Sequence, residues 1–188
     1  MARMKSFDPD AAVATAMDVF WANGYAATTP QQLVDALGIG RGSLYNAFGS
    51  KHALFERALA HYVEQETMRL VDVLEGEGSA RERVRAALDL VITAARRDRR
   101  GCLVTNAAVE LAGRDGVVGA VVRRALRRQE AAFRAAVEDG QRTGEIARDR
   151  DSDALAALFL ATANGIRVVA KAGAERLDGL TEEVLRSL

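Results

Sequence analysis

Apolar residues recur every three or four positions along most of the chain, and breaks that contain glycine or proline separate these segments. The first segment opens at Asp8 and Pro9, an aspartate that can cap a helix followed by a proline at the first helical position. Apolar side chains follow at helical spacing: Val13, Met17, Phe20 and Trp21. Gly24 can end this helix in the left-handed conformation. The pattern predicts a first helix between Pro9 and Gly24.

Two short helices follow, with a tight turn between them. Thr29 and Gln32 are spaced as a capping box, in which each side chain bonds the backbone N–H of the other residue. The helix that they open stops at Gly38, and a three-residue turn leads into a second short helix, Arg41–Phe48. Two short helices joined in this way are typical of a helix-turn-helix.

The remaining chain continues the helical periodicity. The predicted later helices span residues 50–74, a segment that begins after Ser79, and residues 102–112, 116–142, 153–172 and 181–188. Together with the first three helices, they predict an all-α protein of about nine helices.

Composition agrees with a helical protein that has a packed core. The 188 residues are 49% hydrophobic and include 2 prolines. The formal net charge is zero, so composition alone does not indicate a nucleic-acid partner. Cys102 is the single cysteine, so we expect no disulfide within the chain and a reducing compartment. No apolar targeting segment opens the chain and no later run is expected to reach membrane-spanning length, which predicts a cytoplasmic protein without a membrane partner.

Small and polar side chains would face outward from the second short helix. They are Arg41, Gly42, Ser43, Tyr45 and Asn46, with Lys51 beyond the helix end. Such a face suits the major groove of DNA, which is about 12 Å wide. Basic and hydroxyl groups can contact phosphates, and asparagine can form a bidentate pair with adenine. The same spacing occurs in ordinary helical bundles, so by itself it leaves DNA binding and plain helix packing open.

Residues 11–59 resemble the DNA-binding region of the tetracycline-repressor (TetR/AcrR) family. The matching positions are Phe20, Gly24-Tyr25, Thr28-Thr29, Leu33, Ala36, Gly38-Ile39, Gly42-Ser43-Leu44-Tyr45, Phe48, Ser50-Lys51 and Leu54-Phe55. Members of this family are one-component transcription regulators, usually repressors. A later stretch, GCLVTNAAVELA, also resembles one branch of the family.

The resemblance implies a three-helix DNA-binding domain with a helix-turn-helix in residues 1–55. Residues 56–188 would form a helical domain that binds an effector and dimerises. Double-stranded operator DNA is the implied partner, contacted by Thr29, Gln31, Arg41, Gly42, Ser43, Tyr45, Asn46 and Lys51. Thr29 and Lys51 would contact phosphate. Gly40 stands where the family usually has Ser or Thr, and Asn46 and His52 replace the commoner His and Glu, so the base preference does not carry over.

The inward residues of the later helices are mostly Val, Leu, Ile and Phe, which predicts an apolar cavity for a small apolar or amphipathic effector. Its candidate lining residues are Val91, Cys102, Asn106, Glu110, Phe133 and Phe159. The apolar neighbours of Cys102 favour packing, while Arg99 and Arg100 keep oxidant sensing open. We expect ligand binding to release the protein from DNA, with the helix of residues 50–74 as the coupling element.

The helix of residues 153–172 has two apolar faces, where a surface helix needs one. The large face is Leu155, Leu158, Phe159, Thr162, Ile166 and Val169, and the small face is Ala154, Ala157, Ala161, Gly165, Val168 and Ala172. Two faces indicate a helix between its own core and a partner, although a central core helix stays an alternative. The predicted homodimer interface is Ala157, Ala161, Gly165, Val168, Val184 and Leu188.

Other classes of function have weaker support. A small helical enzyme that uses Cys102 or Glu110 would need a nucleophile–base pair or a phosphate loop, and the sequence has neither pattern. His52 and His61 lie nine residues apart without further ligands at metal spacing, so we expect no metal and no cofactor. A helical small-molecule-binding or redox-sensing module that uses Cys102, or a scaffold that never contacts DNA, stays open as the alternative.

Overall fold

The structure is helical throughout the part of the chain that it describes. It is a computed structural model that describes residues 8–174 and 177–188, so the first seven residues of the predicted DNA-binding domain lie outside it. Every regular element in these ranges is a helix, and the all-α prediction is confirmed. The helices are α1 (Pro9–Asn23), α2 (Pro30–Leu37), α3 (Arg41–Phe48), α4 (Lys51–Tyr62), α5 (Met68–Glu75), α6 (Ala80–Arg97), α7 (Leu103–Glu110), α8 (Gly116–Thr143), α9 (Ser152–Lys171) and α10 (Leu180–Leu185).

The helix starts follow the capping signals in the sequence. The Asp8 carboxylate accepts the backbone N–H of Asp10 at 2.9 Å, and the Thr29–Gln32 capping box forms at α2. Each cap satisfies a backbone donor that has no partner inside its helix. Further side-chain caps are Ser50 on α4, Ser79 on α6, Asp115 on α8 and Asp151 on α9.

A π-helical segment, Val63–Thr67, joins α4 to α5, so the two form one long helix of residues 51–75. Counted in this way, the described residues form nine helices. The segment lies beside a buried polar contact, in which Gln129 donates to the Thr67 hydroxyl at 3.4 Å. A π segment inside an α-helix changes the register of the side chains on either side of it.

Two hydrophobic cores lie along this long helix. The first core contains buried residues of α1 to α4 together with α7 and the first half of α8. The second contains α5, α6, the second half of α8, α9 and α10. Because α7 and the start of α8 share the first core, the N-terminal helices are packed directly against the C-terminal part of the chain. The predicted boundary at residue 55 stays a prediction.

Helix α9 has the length and composition of a membrane-spanning helix, contrary to the expectation that no run would. The helix has 20 residues, and an 18-residue stretch of it reaches a mean hydropathy of 1.4, with 33% of that stretch buried. One face packs into the second core through Leu155, Phe159 and Ile166. The core helix of a soluble protein passes the same test of length and hydropathy.

Candidate nucleic-acid interface

The helix-turn-helix is held by three buried side chains and a left-handed glycine. Leu33 of α2 and Leu44 and Phe48 of α3 are buried in the first core. Gly38 ends α2 with φ of 63°, a conformation that suits glycine because it has no Cβ. No side chain caps α3, whose N-cap residue is Gly40. The first N–H groups of α3 are therefore left without a side-chain acceptor at the solvent-facing end of the helix.

The outward face of α3 carries the residues that the sequence singled out. Arg41, Gly42 and Asn46 are exposed, and Ser43 and Tyr45 are half-buried. The Arg41 guanidinium lies 5.9 Å from the centroid of the Tyr45 ring. A Cβ built on Gly42 would meet no atom within 4 Å, so the fold itself does not require glycine there. The absent side chain leaves room for another molecule to approach the backbone.

The N-terminus of α2 places Thr29 and Gln31 at the surface, and both make contacts within the protein. Thr29 belongs to the capping box with Gln32. Gln31 donates from Nε2 to the Asp35 carboxylate at 2.8 Å. Either side chain would have to share or exchange these bonds to contact a phosphate.

Lys51 has a structural role that the sequence reading missed. Its Nζ donates to the backbone carbonyl oxygens of Tyr25 and Thr28, each at 2.9 Å, and lies 4.3 Å from the Tyr25 ring centroid. The ammonium group therefore ties the loop between α1 and α2 to the start of α4. An ammonium has three N–H groups, and these bonds use two of them.

Glu110, a predicted pocket residue, holds the α1–α2 loop. Its carboxylate accepts the backbone N–H of Tyr25 at 3.0 Å and that of Ala26 at 2.6 Å. A Cβ on Gly24 would lie 3.2 Å from Glu110 Oε2, so the loop and the carboxylate approach closely. Since Glu110 ends α7, this contact links the N-terminal helices α1 and α2 to the C-terminal helices.

A second link joins α1 to the loop between α6 and α7. The Trp21 indole N–H donates to the Gly101 carbonyl oxygen at 3.0 Å. The Arg100 guanidinium lies 3.9 Å from the Trp21 ring centroid and forms ion pairs with Asp18 at 2.8 Å and Asp98 at 2.7 Å. Hydrogen bonds from Arg100 lower the pKa of the Asp98 carboxyl. Trp21 lies 80 positions from Gly101 and Asp18 lies 82 positions from Arg100, so no local pattern could have indicated this link.

A third link runs from α4 to the start of α8. His52 contacts Asp115, the α8 cap, through Nε2, and Glu56 through Nδ1 at 2.8 Å. The hydrogen bond from His52, together with the backbone N–H groups of α8, lowers the pKa of Asp115. Burial, followed by the charge of Asp115, raises the pKa of Tyr25. His52 and Asp115 lie 63 residues apart in the chain, so no local pattern could have indicated this contact.

The six predicted pocket residues do not line one cavity. Cys102, Asn106 and Glu110 line an open cleft of about 570 Å³ between the end of α1, α7 and α9. Val91 lines two smaller cavities, of about 130 and 150 Å³, beside α6. Phe133 and Phe159 are fully buried in the second core, with ring centroids 5.6 Å apart. The two rings fill this part of the second core, where the sequence analysis expected the wall of a cavity.

Cys102 is buried, with 3% of its surface exposed, at the N-cap of α7. Burial, followed by the neighbouring Cys102 side chain, raises the pKa of the Tyr62 hydroxyl well above its usual value. No group of three His, Cys, Asp or Glu side chains suited to a metal ion occurs within residues 8–174 and 177–188.

The predicted dimer residues fall into two groups. Ala157, Ala161, Gly165 and Val168 lie exposed along one face of α9. Val184 and Leu188, near α10, are half-buried against the second core of their own chain. Leu158 and Val169, assigned from the sequence to the inward face, are each 43% exposed and extend the outer face. The outer face of α9 is therefore broader and more apolar than the small-residue stripe suggested.

Two family profiles match the chain. The profile described as bacterial regulatory proteins, tetR family, matches residues 12–58. The profile described as tetracyclin repressor-like, C-terminal domain, matches residues 80–184. The first match spans the helix-turn-helix, and the second begins at α6 and ends within α10.

Individual proteins match along nearly the whole chain. The uncharacterized HTH-type transcriptional regulator YezE of Bacillus subtilis (strain 168) is 31% identical over 191 residues, which cover 100% of this chain and 98% of YezE. The HTH-type transcriptional repressor ComR of Escherichia coli (strain K12) is 29% identical, with 98% and 90% covered. A cysteine mutant of the TetR family transcriptional regulator CifR, complexed with 26-bp double-strand operator DNA, has a TM-score of 0.87 at 36% identity, with 98% of both chains covered.

Proposed function

Since the chain belongs to the tetracycline-repressor family of bacterial transcriptional regulators, we propose that it represses transcription from a palindromic operator and leaves that operator when a small effector binds. Membership confirms the expected class, a DNA-binding regulator and not an enzyme. It also confirms the partners expected of that class: operator DNA, a second copy of the chain and a small-molecule effector. Regulators of this family are soluble, and we propose the cytoplasm as the place where this one meets its operator.

The exposed polar face of α3 is the observation that carries the proposal. Arg41, Asn46 and the open position at Gly42 stand on a short helix that is anchored from behind by Leu44 and Phe48. Nothing in the packing of the chain explains why these side chains are small or polar. A major groove explains all of them, and a relative with the same architecture has been solved on operator DNA.

The proposed contacts are of two kinds: phosphate contacts that position the protein on the duplex, and base contacts that recognise the sequence. Arg41, Tyr45 and the remaining N–H of Lys51 would contact the phosphate backbone, which fixes register without reading sequence. Asn46 and Ser43 would face base edges. Thr29 and Gln31 at the start of α2 would reach a flanking phosphate, with the helix N-terminus adding a favourable dipole. Gly42 would let the backbone approach the duplex.

A homodimer would place two copies of α3 on one palindrome. We propose that the outer face of α9, centred on Ala161 and Gly165, packs against the same face of the partner. Exposed Leu158 and Val168 on this face, 43% and 50% exposed, would then be covered. Residues 1–55 would bind DNA and residues 56–188 would bind the effector and dimerise, with the long helix of residues 51–75 connecting the two functions.

The operator hypothesis is tested by binding to DNA from upstream of the chain's own gene. Tyr45→Ala should weaken binding to all sequences alike and leave the slope of log affinity against log salt nearly unchanged, because the side chain carries no charge. Asn46→Ala should change which base is preferred at one position of each half-site. Arg142→Ala is the control. Arg142 is exposed near the C-terminal end of α8, and the Asp115 cap, which contacts α4, is at the opposite end of that helix. Unchanged affinity in both test variants would contradict the proposed contact surface.

A further inference from the structure

Arg167 of α9 lies where three cavities meet, because it lines the large cleft at α7 and both smaller cavities beside α6. The residue is half-buried. Its guanidinium has one polar contact, a long bond of 3.4 Å to the Asn164 side-chain oxygen, which also accepts from Thr105 at 3.0 Å. No carboxylate pairs with it within residues 8–174 and 177–188. A half-buried guanidinium without an anion leaves most of its five N–H donors unused by the protein.

The two smaller cavities share a wall that has excess positive charge. Both are lined by Glu66, Val91, Ala94, Arg97 and Arg167. The Glu66 carboxylate is paired with Arg69 at 2.8 Å, so its charge is balanced. Arg97, like Arg167, forms no ion pair in the described part of the chain. Asp98 at the edge of one cavity is paired with Arg100 and also interacts with the charge of Arg97, so Arg167 faces the cavities without a partner charge and the arginines there outnumber the carboxylates.

We propose that the effector is a compact carboxylate, bound through Arg167 with Arg97 and with its apolar part against Val91 and Ala94. This inference rests on the proposed function and deepens it by naming the chemical class of the effector. Arginine suits a carboxylate because its planar fork can donate two parallel hydrogen bonds. The cavity volumes of about 130 and 150 Å³ lie below the roughly 300 Å³ of drug-sized sites, so the ligand is small.

The same cavity reaches the link to the DNA-binding helices. Trp21, Arg100 and Gly101 line one of the two smaller cavities together with Arg167. A carboxylate placed there competes with Asp18 of α1 for the Arg100 guanidinium. Loss of the ion pair between Arg100 and Asp18 loosens the contact that orients α1, and α1 packs on both α2 and α4. Anion binding would thereby favour a different placement of the recognition helix, which is how an effector lowers operator affinity.

The test uses three small carboxylates, benzoate, phenylacetate and hexanoate, and one uncharged analogue, benzamide. Thermal unfolding of the full chain is followed at constant ionic strength, adjusted with sodium chloride. At least one carboxylate should raise the Tm in a concentration-dependent way, and benzamide should not. Equal shifts with benzoate and benzamide, or no shift with any of the three carboxylates, would overturn the proposal.

Arg167→Gln removes the charge and should weaken binding of the active carboxylate by about tenfold or more, the loss expected for one charge-assisted hydrogen bond. Arg97→Gln, at an exposed position that should not affect folding, should weaken it as well. Arg128→Gln is the matched control, since Arg128 is exposed on α8. Wild-type affinity in both Arg97→Gln and Arg167→Gln overturns the site, and Arg97→Gln decides alone if the Arg167 variant does not fold.

Operator binding by the ligand-free protein is measured separately, so the two failures are distinguishable. If the protein binds carboxylates through Arg167 but does not bind its upstream DNA, the anion site is supported and the proposed regulatory function is contradicted. A protein that binds its operator but shows no Arg167-dependent carboxylate effect keeps the function and loses this inference.

Discussion

Replacement of Glu110 by alanine removes the link between α7 and the DNA-binding helices. The carboxylate accepts two backbone N–H groups of the α1–α2 loop, at 3.0 and 2.6 Å. Hydrogen bonds to charged groups contribute about 1.5–3 kcal/mol each in a buried setting. Ala26 is exposed and Tyr25 half-buried, so water can replace part of each bond. We therefore expect a loss of about 1 kcal/mol per bond, or about 2 kcal/mol in total.

Thermal unfolding and hydrogen exchange measure this loss. For a chain of this size, about 1 kcal/mol corresponds to about 2–4 °C in Tm, so Glu110→Ala should unfold about 4–8 °C below wild type. Glu110→Gln keeps one acceptor oxygen and should fall between the two. The amides of Tyr25 and Ala26 should exchange faster in the alanine variant, because they lose their acceptor.

Glu138→Ala is the matched control, since Glu138 is exposed on α8. It should unfold within about 1 °C of wild type, because surface substitutions away from such contacts have little effect. A Glu110→Ala protein with wild-type Tm and unchanged exchange at Tyr25 and Ala26 would refute the reasoning. The carboxylate would then contribute no net stability to the loop.

Three further outcomes are expected. Gly140→Ala should lower stability by about 1–3 kcal/mol in thermal unfolding, because its Cβ would lie 2.7 Å from Ile146 Cδ1. Gly42→Ala should not lower stability, because the position is open and alanine is the better helix former. Wild type should lose stability in acid as the pH falls through the lowered pKa of Asp115, below its usual 3.8, because a carboxyl with a depressed pKa stabilises the fold only while ionised. Acid titrations of Asp115→Asn should show a smaller loss, and an identical pH profile would contradict it. Gly165→Leu has open space in the monomer, so it should fold normally but sediment as a monomer; a folded wild-type-like dimer would move the interface off this face of α9.

Much of the fold could be predicted because its signals are local. Helix starts at Asp8, Thr29 and Ser79 depend on a side chain and a backbone N–H only a few residues apart, and each forms as the spacing indicates. The outward face of α3 follows from helical periodicity alone, since Leu44 and Phe48 turn inward and leave Arg41 and Asn46 outside. The periodicity left two interpretations of that face open, helix packing and DNA binding, and the family resemblance favoured DNA binding.

The roles of single charged residues could not be predicted, because they depend on partners far along the chain. The sequence analysis placed Glu110 in the pocket and Lys51 at a phosphate, yet both side chains bond the α1–α2 loop. Ala26 of that loop lies 84 residues from Glu110 in the chain. Phe133 and Phe159 read as cavity walls, yet their rings fill the second core. An amphipathic pattern specifies which side of a helix is buried, but it does not specify whether the space beneath is filled or hollow.

The sequence by itself determined the nine-helix order, the caps and the exposed recognition face, since each follows from contacts within one or two turns of chain. Only the tertiary structure decided that α7 and α8 join the core of the DNA-binding helices and that Arg167 faces the cavities without a carboxylate partner in the described residues. These features arise from the way long-range packing brings distant side chains together. The charges and volumes of these side chains must be complementary in three dimensions, and the helical periodicity of the sequence does not specify which distant side chains meet.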